Sequence, residues 1–422
     1  MEVTILKDLI GFEIRKSMKR PVVFVVLAII FLYNILMIFQ GSFDEPGYGT
    51  NPYSRERVNQ LRQEQSEFTG FIDDEWIQNV EDIKNDILYN PANQISEEER
   101  KEKTEELLAR GLSREMIDSN IIFFIREEVL YSRELQRLEE PGVAGNFYKS
   151  ANRIGQEKAT HYREVYDGEK GEALATKAEE MYGYLSKEYR AYYAYSWGWS
   201  RLHAMKTVLP YTVGLLLIVI LAPLFSKEYA RKTDSLILST KHGKNKVIKA
   251  KIITAFLLSI LSWMMIQFIN IGTIFTFFGT EGARSFLQNW ALNPSPYPFT
   301  YLTSYLVVTG MSFLGLIFLT STILFISSRS KGSASSLVTA GIVTLLPIIL
   351  AGIFGEGIVK KIIMFMPANV LVAVDHFKTF DAFYILDKVI MLPFATAFVA
   401  VTLSIFMVIG AYFSFKRHQV EN

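Results

Sequence analysis

The sequence predicts an all-α polytopic membrane protein with six transmembrane helices, both termini cytoplasmic, and a mainly helical extracytoplasmic domain. Three observations predict it. Six long stretches contain no Asp, Glu, Lys or Arg. At ~1.5 Å per residue, twenty helical residues match the ~30 Å hydrocarbon core of a bilayer. Alternate connections between these stretches are rich in Lys and Arg, which places them on the cytoplasmic side. Residues 41–206 carry 22 Lys/Arg against 32 Asp/Glu, a net charge of −10, although the whole 422-residue chain is only +1. The near-neutral total therefore hides two opposed charges on two sides of a membrane. A composition of 50% hydrophobic and 21% charged residues excludes a disordered chain, a collagen and a disulfide scaffold. The chain has no cysteine, so disulfides, zinc-thiolate sites and thiol nucleophiles are excluded. A bacterial cell membrane fits that absence.

Residues 1–20 carry five basic groups: Lys7, Arg15, Lys16, Lys19 and Arg20. Residues 21–40 are uncharged and read as the first transmembrane helix. A signal peptide is the alternative, but the run exceeds a usual h-region and MIFQGS offers no small-x-small cleavage site.

Residues 41–206 then form the acidic extracytoplasmic domain. Ser96-Glu-Glu-Glu99 predicts a capping box opening a polar helix that ends near Gly111. The apolar spacing in Ser113–Leu138 predicts a helix there. Gly168–Gly171 reads as a break, and a helix from Glu172 is expected to run directly into the second span. Asn51–Pro52, Asn90–Pro91 and Pro141–Gly142 predict turns. The acidic surface reads either as a solvated face or as an attractor of cationic peptides. Tyr192, Tyr193, Tyr195, Trp197 and Trp199 read as an interfacial aromatic belt, with a ligand platform as the alternative.

Residues 207–422 hold the other five spans, expected at Thr207–Ser226, Ile252–Phe278, Tyr301–Ser327, Ser335–Gly355 and Val389–Phe415. Pro223, Pro347 and Pro393 are expected to kink or interrupt helices. Asn34, Gln267 and Asn270 are expected to bond between helices. The segment 227–251 carries eight basic residues against Glu228 and Asp234, a net +6. Lipid headgroups explain such lysines. They do not explain Leu236-Ile-Leu238, an apolar patch in a wet loop. Residues 228–240 are expected to form one short amphipathic helix whose apolar side needs a partner.

No G-x-x-x-x-G-K-[ST], H-E-x-x-H or G-x-S-x-G occurs. The sequence therefore offers no phosphate loop, zinc-protease site or serine-hydrolase elbow. The uncharged spans argue against ion-coupled carriers and voltage sensors, which need ionisable groups at depth.

At Phe225, Glu228, Thr233, Leu236–Leu238, Ser239-Thr240, Gly243-Lys244 and Lys251 the sequence resembles the membrane-spanning subunit of bacterial ABC transporters of the second exporter type. Lys241 stands where proline is usual in that family, and Lys244 where arginine is common. Leu9–Lys16 resembles the family's elbow helix on the inner membrane surface. Residues 356–388 resemble its partly inserted outer helices. The 41–206 insertion resembles the subgroup with an extracytoplasmic domain between spans one and two.

The resemblance implies a permease that does no covalent chemistry. No cofactor is implied for this chain. ATP and magnesium belong to a partner ATPase subunit dimer, and a second permease subunit, identical or related, completes the path. Membrane lipids are implied partners, and nucleic acid is not. The resemblance assigns ATPase coupling to Glu228, Arg231, Lys232, Thr233, Leu236, Leu238 and Lys244, with Glu228 and Arg231 as polar clamps. The implied function is export or expulsion of an amphipathic peptide, lipid or drug. The alternative is a receptor or regulatory protein sensing a ligand, such as a cationic peptide, through the acidic domain.

Overall fold

A computed structural model describes residues 2–39, 55–130, 132–240, 243–288, 294–354 and 357–417. The chain divides into two compact units: residues 1–40, 198–279 and 302–422, and residues 41–197 with 280–301. The second unit thus gains 280–301, while 198–206 belong with the membrane helices.

Among the described residues, six helices are long and apolar enough to cross a membrane: Pro21–Ile38, Trp197–Ala230, Asn245–Phe278, Tyr301–Arg329, Ser333–Ile353 and Leu392–Lys416; apart from the terminal residues Trp197 and Tyr301, all lie in the first unit. These are spans 1 to 6 below. Span 2 is 78% buried and span 4 is 61% buried, whereas the others reach at most 33%. Spans 2 and 4 therefore make the centre. The outer spans turn Phe24, Ile29, Leu261, Phe268, Ile349, Phe398 and Phe406 outward. Apolar outward faces on helices whose backbone bonds are internally satisfied suit a hydrocarbon solvent.

Span 2 is not a uniform helix. It passes through a 3-10 turn at Met205–Val208 and a π-helical turn at Pro210–Gly214 before resuming at Leu215–Leu221. Pro210 has no N–H to give to the preceding turn, so the ladder changes register around it. Pro223 and Pro393 stand at helix starts, and Pro347 lies inside span 5.

Hydroxyls and amides stitch the spans together. Asn34 Nδ2 donates to Asn270 Oδ1, joining spans 1 and 3. Thr320 Oγ1 donates to Ser259 Oγ (2.8 Å). Ser327 and Ser336 hydroxyls both donate to Ala222 O, at 2.7 and 2.8 Å, tying spans 4 and 5 to span 2. Gln267 is buried, but its Nε2 finds no partner.

Span 5 is followed by short helices Ile358–Met364 and Pro367–Val372, a 3-10 turn Val374–Phe377, and a hairpin pairing Ala382–Ile385 with Lys388–Met391. Val389 therefore lies in a strand, and span 6 begins at Leu392. His376 is 1% exposed. Its Nε2 sits 3.1 Å from Met364 O, while Nδ1 has no partner. Burial pushes its pKa below the ordinary 6.5. The unfolded chain thus takes up this proton more readily than the folded one. Stability from His376 is complete above pH 6.5 and is lost as pH falls below it toward the depressed folded value. The fall in melting temperature between pH 7.5 and pH 5 should be smaller in His376→Gln than in wild type, measured in detergent.

The second unit is helical with one small sheet. The capping box forms: Ser96 Oγ accepts from Glu99 N (3.3 Å), Ser96 N donates to Glu99 Oε2 (2.8 Å), and the helix runs Glu97–Ala109. Gly111 follows at φ +90°. Asn90–Pro91 opens a 3-10 turn, with Asn90 accepting from Ala92 N. Asn51–Pro52 lies outside the described residues.

Three expectations are corrected. Ser113–Leu138 is not one helix but the pieces Arg114–Asp118, Ile121–Phe124 and Glu127–Leu130, followed by the start of Arg133–Val165. Side chains of Ser113, Asn120 and Ser132 each accept a backbone N–H at the start of a new piece. These local bonds compete with a continuous ladder. Pro141–Gly142 is no turn, since both residues lie inside Arg133–Val165. Packing of that helix against Gly168–Lys187 outweighs the proline's cost. Gly155 permits the contact, because a Cβ there would stand 2.8 Å from Tyr182 Cβ. Finally, the helix after Gly168 stops at Lys187 and does not enter span 2. Tyr192–Tyr193 pairs antiparallel with Gly70–Phe71 before Trp197 starts the next helix.

Polar bonds hold described residues of the 280–301 segment, Gln288 and Pro294 among them. Gln288 accepts from Tyr148 Oη (3.1 Å) and donates to Tyr297 O (2.7 Å). Tyr182 Oη donates to Pro294 O (2.7 Å).

Candidate coupling site

The N-terminal helix Glu2–Met18 and the start of span 3 meet the end of span 2 in a buried ion cluster. Along the helix, Ile10, Glu13, Ile14 and Ser17 share one face by their helical spacing. Glu13 and Ser17 are buried, while Phe12 is 60% exposed. An acid thus occupies a buried position on an amphipathic helix, and it needs a cation.

Lys251, fully buried, supplies that cation. Its Nζ lies 2.9 Å from Glu13 Oε1, 2.9 Å from Glu228 Oε1 and 3.1 Å from Leu224 O. An ammonium has three N–H donors, and here three acceptors surround it. Glu228, 5% exposed, also receives Lys16 Nζ at 2.5 Å on Oε1 and Thr233 Oγ1 at 2.7 Å on Oε2. Two carboxylates and two ammoniums therefore cancel. Beside them, Arg20 Nη2 donates to Ile220 O (2.7 Å), fixing the entry to span 1 against span 2.

Past Glu228 the chain turns. Lys232 takes φ +55°, and the next helix is only Asp234–Ser239. The expected single helix over 228–240 is therefore corrected to two pieces around a left-handed residue. Thr233 closes the turn by donating N–H and O–H to Glu228, at 3.0 Å to its carbonyl and 2.7 Å to its carboxylate.

The expected coupling residues consequently split into two groups. Glu228 and Thr233 face inward, so the clamp pictured at Glu228 is satisfied within the chain. Arg231, Lys232 and Leu236 are exposed, Leu236 by 68%. Ile237, between Leu236 and Leu238, packs on the core. The side chains of Leu238 and Lys244 lie outside the described residues.

The five aromatic residues expected as an interfacial belt are buried or half-buried in the chain. Tyr193, Tyr195 and Trp199 are 1%, 3% and 8% exposed, and Tyr192 and Trp197 are half-buried. Trp199 packs on Phe275 with ring centroids 5.0 Å apart, and Trp76 packs on Tyr193 at 5.5 Å.

Sequence reading missed two groups of residues. For Glu13 and Lys16 the one signal in the sequence is an acid on the apolar face of an amphipathic helix. His203 and Lys206 fall in the 41–206 range expected for the outer domain, yet both are buried in span 2's first turns. His203 Nε2 sits 3.0 Å from Ser304 Oγ, and Lys206 Nζ donates to Thr309 Oγ1 (2.9 Å).

A family model described as "ABC-2 family transporter protein" matches residues 9–420. No curated protein and no solved structure matches the chain. The match spans the second half of the N-terminal helix, the ion cluster, all six candidate spans and the second unit. The chain belongs to the ABC-2 family of transporter proteins: it is a multi-pass membrane permease, the transport subunit of an ABC transporter and not itself catalytic.

Proposed function

We propose that this permease exports or expels an amphipathic substrate, using ATP and magnesium bound by a separate ABC ATPase dimer. A second permease subunit, identical or related, completes the path. Both termini and residues 227–251 lie in the cytoplasm, and residues 41–206 lie outside, as in the subgroup with an extracytoplasmic domain. Residues 356–388, which include the short helices Ile358–Met364 and Pro367–Val372, form the partly inserted outer segment.

One observation supports this reading above the rest. The buried cluster of Glu13, Lys16, Glu228 and Lys251 ties three elements into one body beside an exposed Leu236 flanked by Arg231 and Lys232. An ATPase that moved Leu236 and Arg231 would move the N-terminal helix and span 3 with them. Glu228 and Thr233 then act as internal struts, and Arg231, Lys232, Leu236, Leu238 and Lys244 form the docking surface. Family membership favours transport over a receptor role.

The test is co-purification. Leu236→Asp, alone and with Leu238→Asp, should cut recovery of the ATPase subunit by about tenfold or more, since a carboxylate placed in an apolar groove is strongly disfavoured. Recovery of the permease should be unchanged, because Leu236 is exposed. Undiminished ATPase recovery would overturn the coupling assignment.

A further inference from the structure

A cavity of about 500 Å³ lies within the first unit, at the end of the spans that carries helix Ile358–Met364. That volume falls in the range of small-molecule sites. Its apolar wall includes Tyr33 and Met37 of span 1, Val208 and Tyr211 of span 2, Ile348 of span 5 and Leu392 of span 6. Two helix irregularities border it: the π-turn Pro210–Gly214, which carries Tyr211, and Pro347 next to Ile348. Asn369 props the wall by donating to Ile363 O (2.8 Å) and Pro347 O (3.4 Å). Irregular backbone at such depth is tolerated where it lines a cavity or is buried in protein.

The rim is charged and unbalanced. It holds Lys360, Lys361 and Lys378 against Asp375 and Asp381. Asp375 Oδ1 lies 2.6 Å from Lys378 Nζ. Asp381 Oδ1 lies 3.5 Å from Lys361 Nζ, and its Oδ2 accepts from Thr379 Oγ1 (2.8 Å). Both acids are thus engaged. Among the described residues, no carboxylate pairs with Lys360, which is half-buried at the mouth. Its neighbours Ile358, Val359 and Ile362 are 66%, 45% and 54% exposed. A lysine beside an exposed apolar face belongs at the boundary between hydrocarbon and water, where its stem lies in lipid and its head in water.

We propose that this cavity binds a single-chain amphipathic anion, with the alkyl chain between Tyr33, Tyr211 and Ile348 and the anionic head on Lys360. A cationic head would meet an ammonium that no carboxylate among the described residues neutralises, and an uncharged head would leave that charge unanswered. The proposal deepens the transport reading by naming a substrate class, and it rests on that reading for its meaning in transport.

Binding is testable without ATP or an ATPase. The full chain in nanodiscs of neutral lipid is irradiated with a diazirine fatty acid, and separately with the matching diazirine fatty alcohol. Labelled peptides are mapped by mass spectrometry. The fatty acid should label peptides containing Tyr33, Tyr211 or Ile348 about fivefold more than the alcohol, the preference expected of one lysine near a membrane surface. Lys360→Gln should reduce acid labelling to the alcohol's level. Lys388→Gln, exposed on the hairpin and away from the cavity, should leave it unchanged. Equal labelling by acid and alcohol, no labelling of these peptides, or full labelling of a Lys360→Gln protein with wild-type melting temperature would each overturn the proposal. Such a failure leaves the ATPase-docking reading intact. Failure of ATPase co-purification, in turn, would leave the labelling result standing.

Discussion

Glu228→Ala should lower stability by about 3–5 kcal/mol, the cost of removing one partner from a buried ion pair. The variant leaves Lys251 buried with Glu13 as its one carboxylate, and Lys16 loses its closest partner. It also removes the acceptor of the Thr233 hydroxyl, so the turn at Lys232 loosens. A melting curve in detergent should show the loss. Glu228→Gln keeps the shape and an acceptor but not the charge, and it should fall between wild type and alanine. The double change Glu228→Leu with Lys251→Met is the sharper comparison. It leaves Glu13 near Lys16 at 4.0 Å, and apolar replacement of a buried ion pair is often neutral. The double variant should regain much of the melting temperature lost by Glu228→Ala. It should not regain ATPase activity that responds to substrate, because the tie between span 2 and the N-terminal helix is gone. A double variant as unstable as Glu228→Ala would show that the cost lies in packing and not in the stranded ammonium.

The second large effect is expected at Gly315, in the middle of span 4. A Cβ there would stand 2.3 Å from Leu371 N, 2.5 Å from Leu371 Cα and 2.5 Å from the Val370 carbonyl carbon. These are backbone atoms of the buried helix Pro367–Val372. They cannot move aside by changing a rotamer. Gly315→Ala should therefore cost at least the ~1–3 kcal/mol typical of overpacking, and Gly315→Leu should prevent recovery of folded protein. Gly310 is the control on the same span, because a Cβ there meets nothing within 4 Å. Gly310→Ala should be neutral or stabilising by up to ~1 kcal/mol, as alanine is the better helix former. If both alanine variants melt alike, the close approach of span 4 to residues 370–371 is not what holds these helices.

The spans were readable because lipid imposes a length and a polarity that composition reveals directly. Asn34 and Asn270 were readable for a related reason: uncharged polar groups at depth seek each other. The Ser96–Glu99 capping box was readable because both partners lie within one turn. Chemistry that depends on distant pairing was not. Lys16 and Glu228 are 212 positions apart, and no local pattern joins them. The helix carrying span 2 starts at Trp197, before the expected Thr207; Arg201, His203 and Lys206 look in sequence like the polar edge of a water-facing domain. In the structure His203 finds Ser304 and Lys206 finds Thr309 within the same unit. The packing of the aromatic run from Tyr192 to Trp199 was hidden for a different reason. Tyr and Trp suit a headgroup layer and a protein core equally well, so their contacts with Gly70–Phe71, Trp76 and Phe275 leave no mark in the local pattern. The region over 228–240 was read as one helix because its apolar spacing is helical. The left-handed Lys232 breaks it so that Thr233 can cap Glu228.

The most direct test of ATP-driven coupling through the exposed turn uses the absence of cysteine in this chain. Leu236→Cys places a single thiol on the docking surface. Leu386→Cys places one on the hairpin tip, which is 89% exposed and precedes the opposite end of the spans. Each variant is tagged with a benzophenone maleimide, mixed with the ATPase subunit and irradiated. Position 236 should crosslink to a chain bearing a phosphate loop, and position 386 should not. A crosslink from 386, or none from 236, would contradict the assignment of the ATPase to the Glu228–Thr240 end of the molecule.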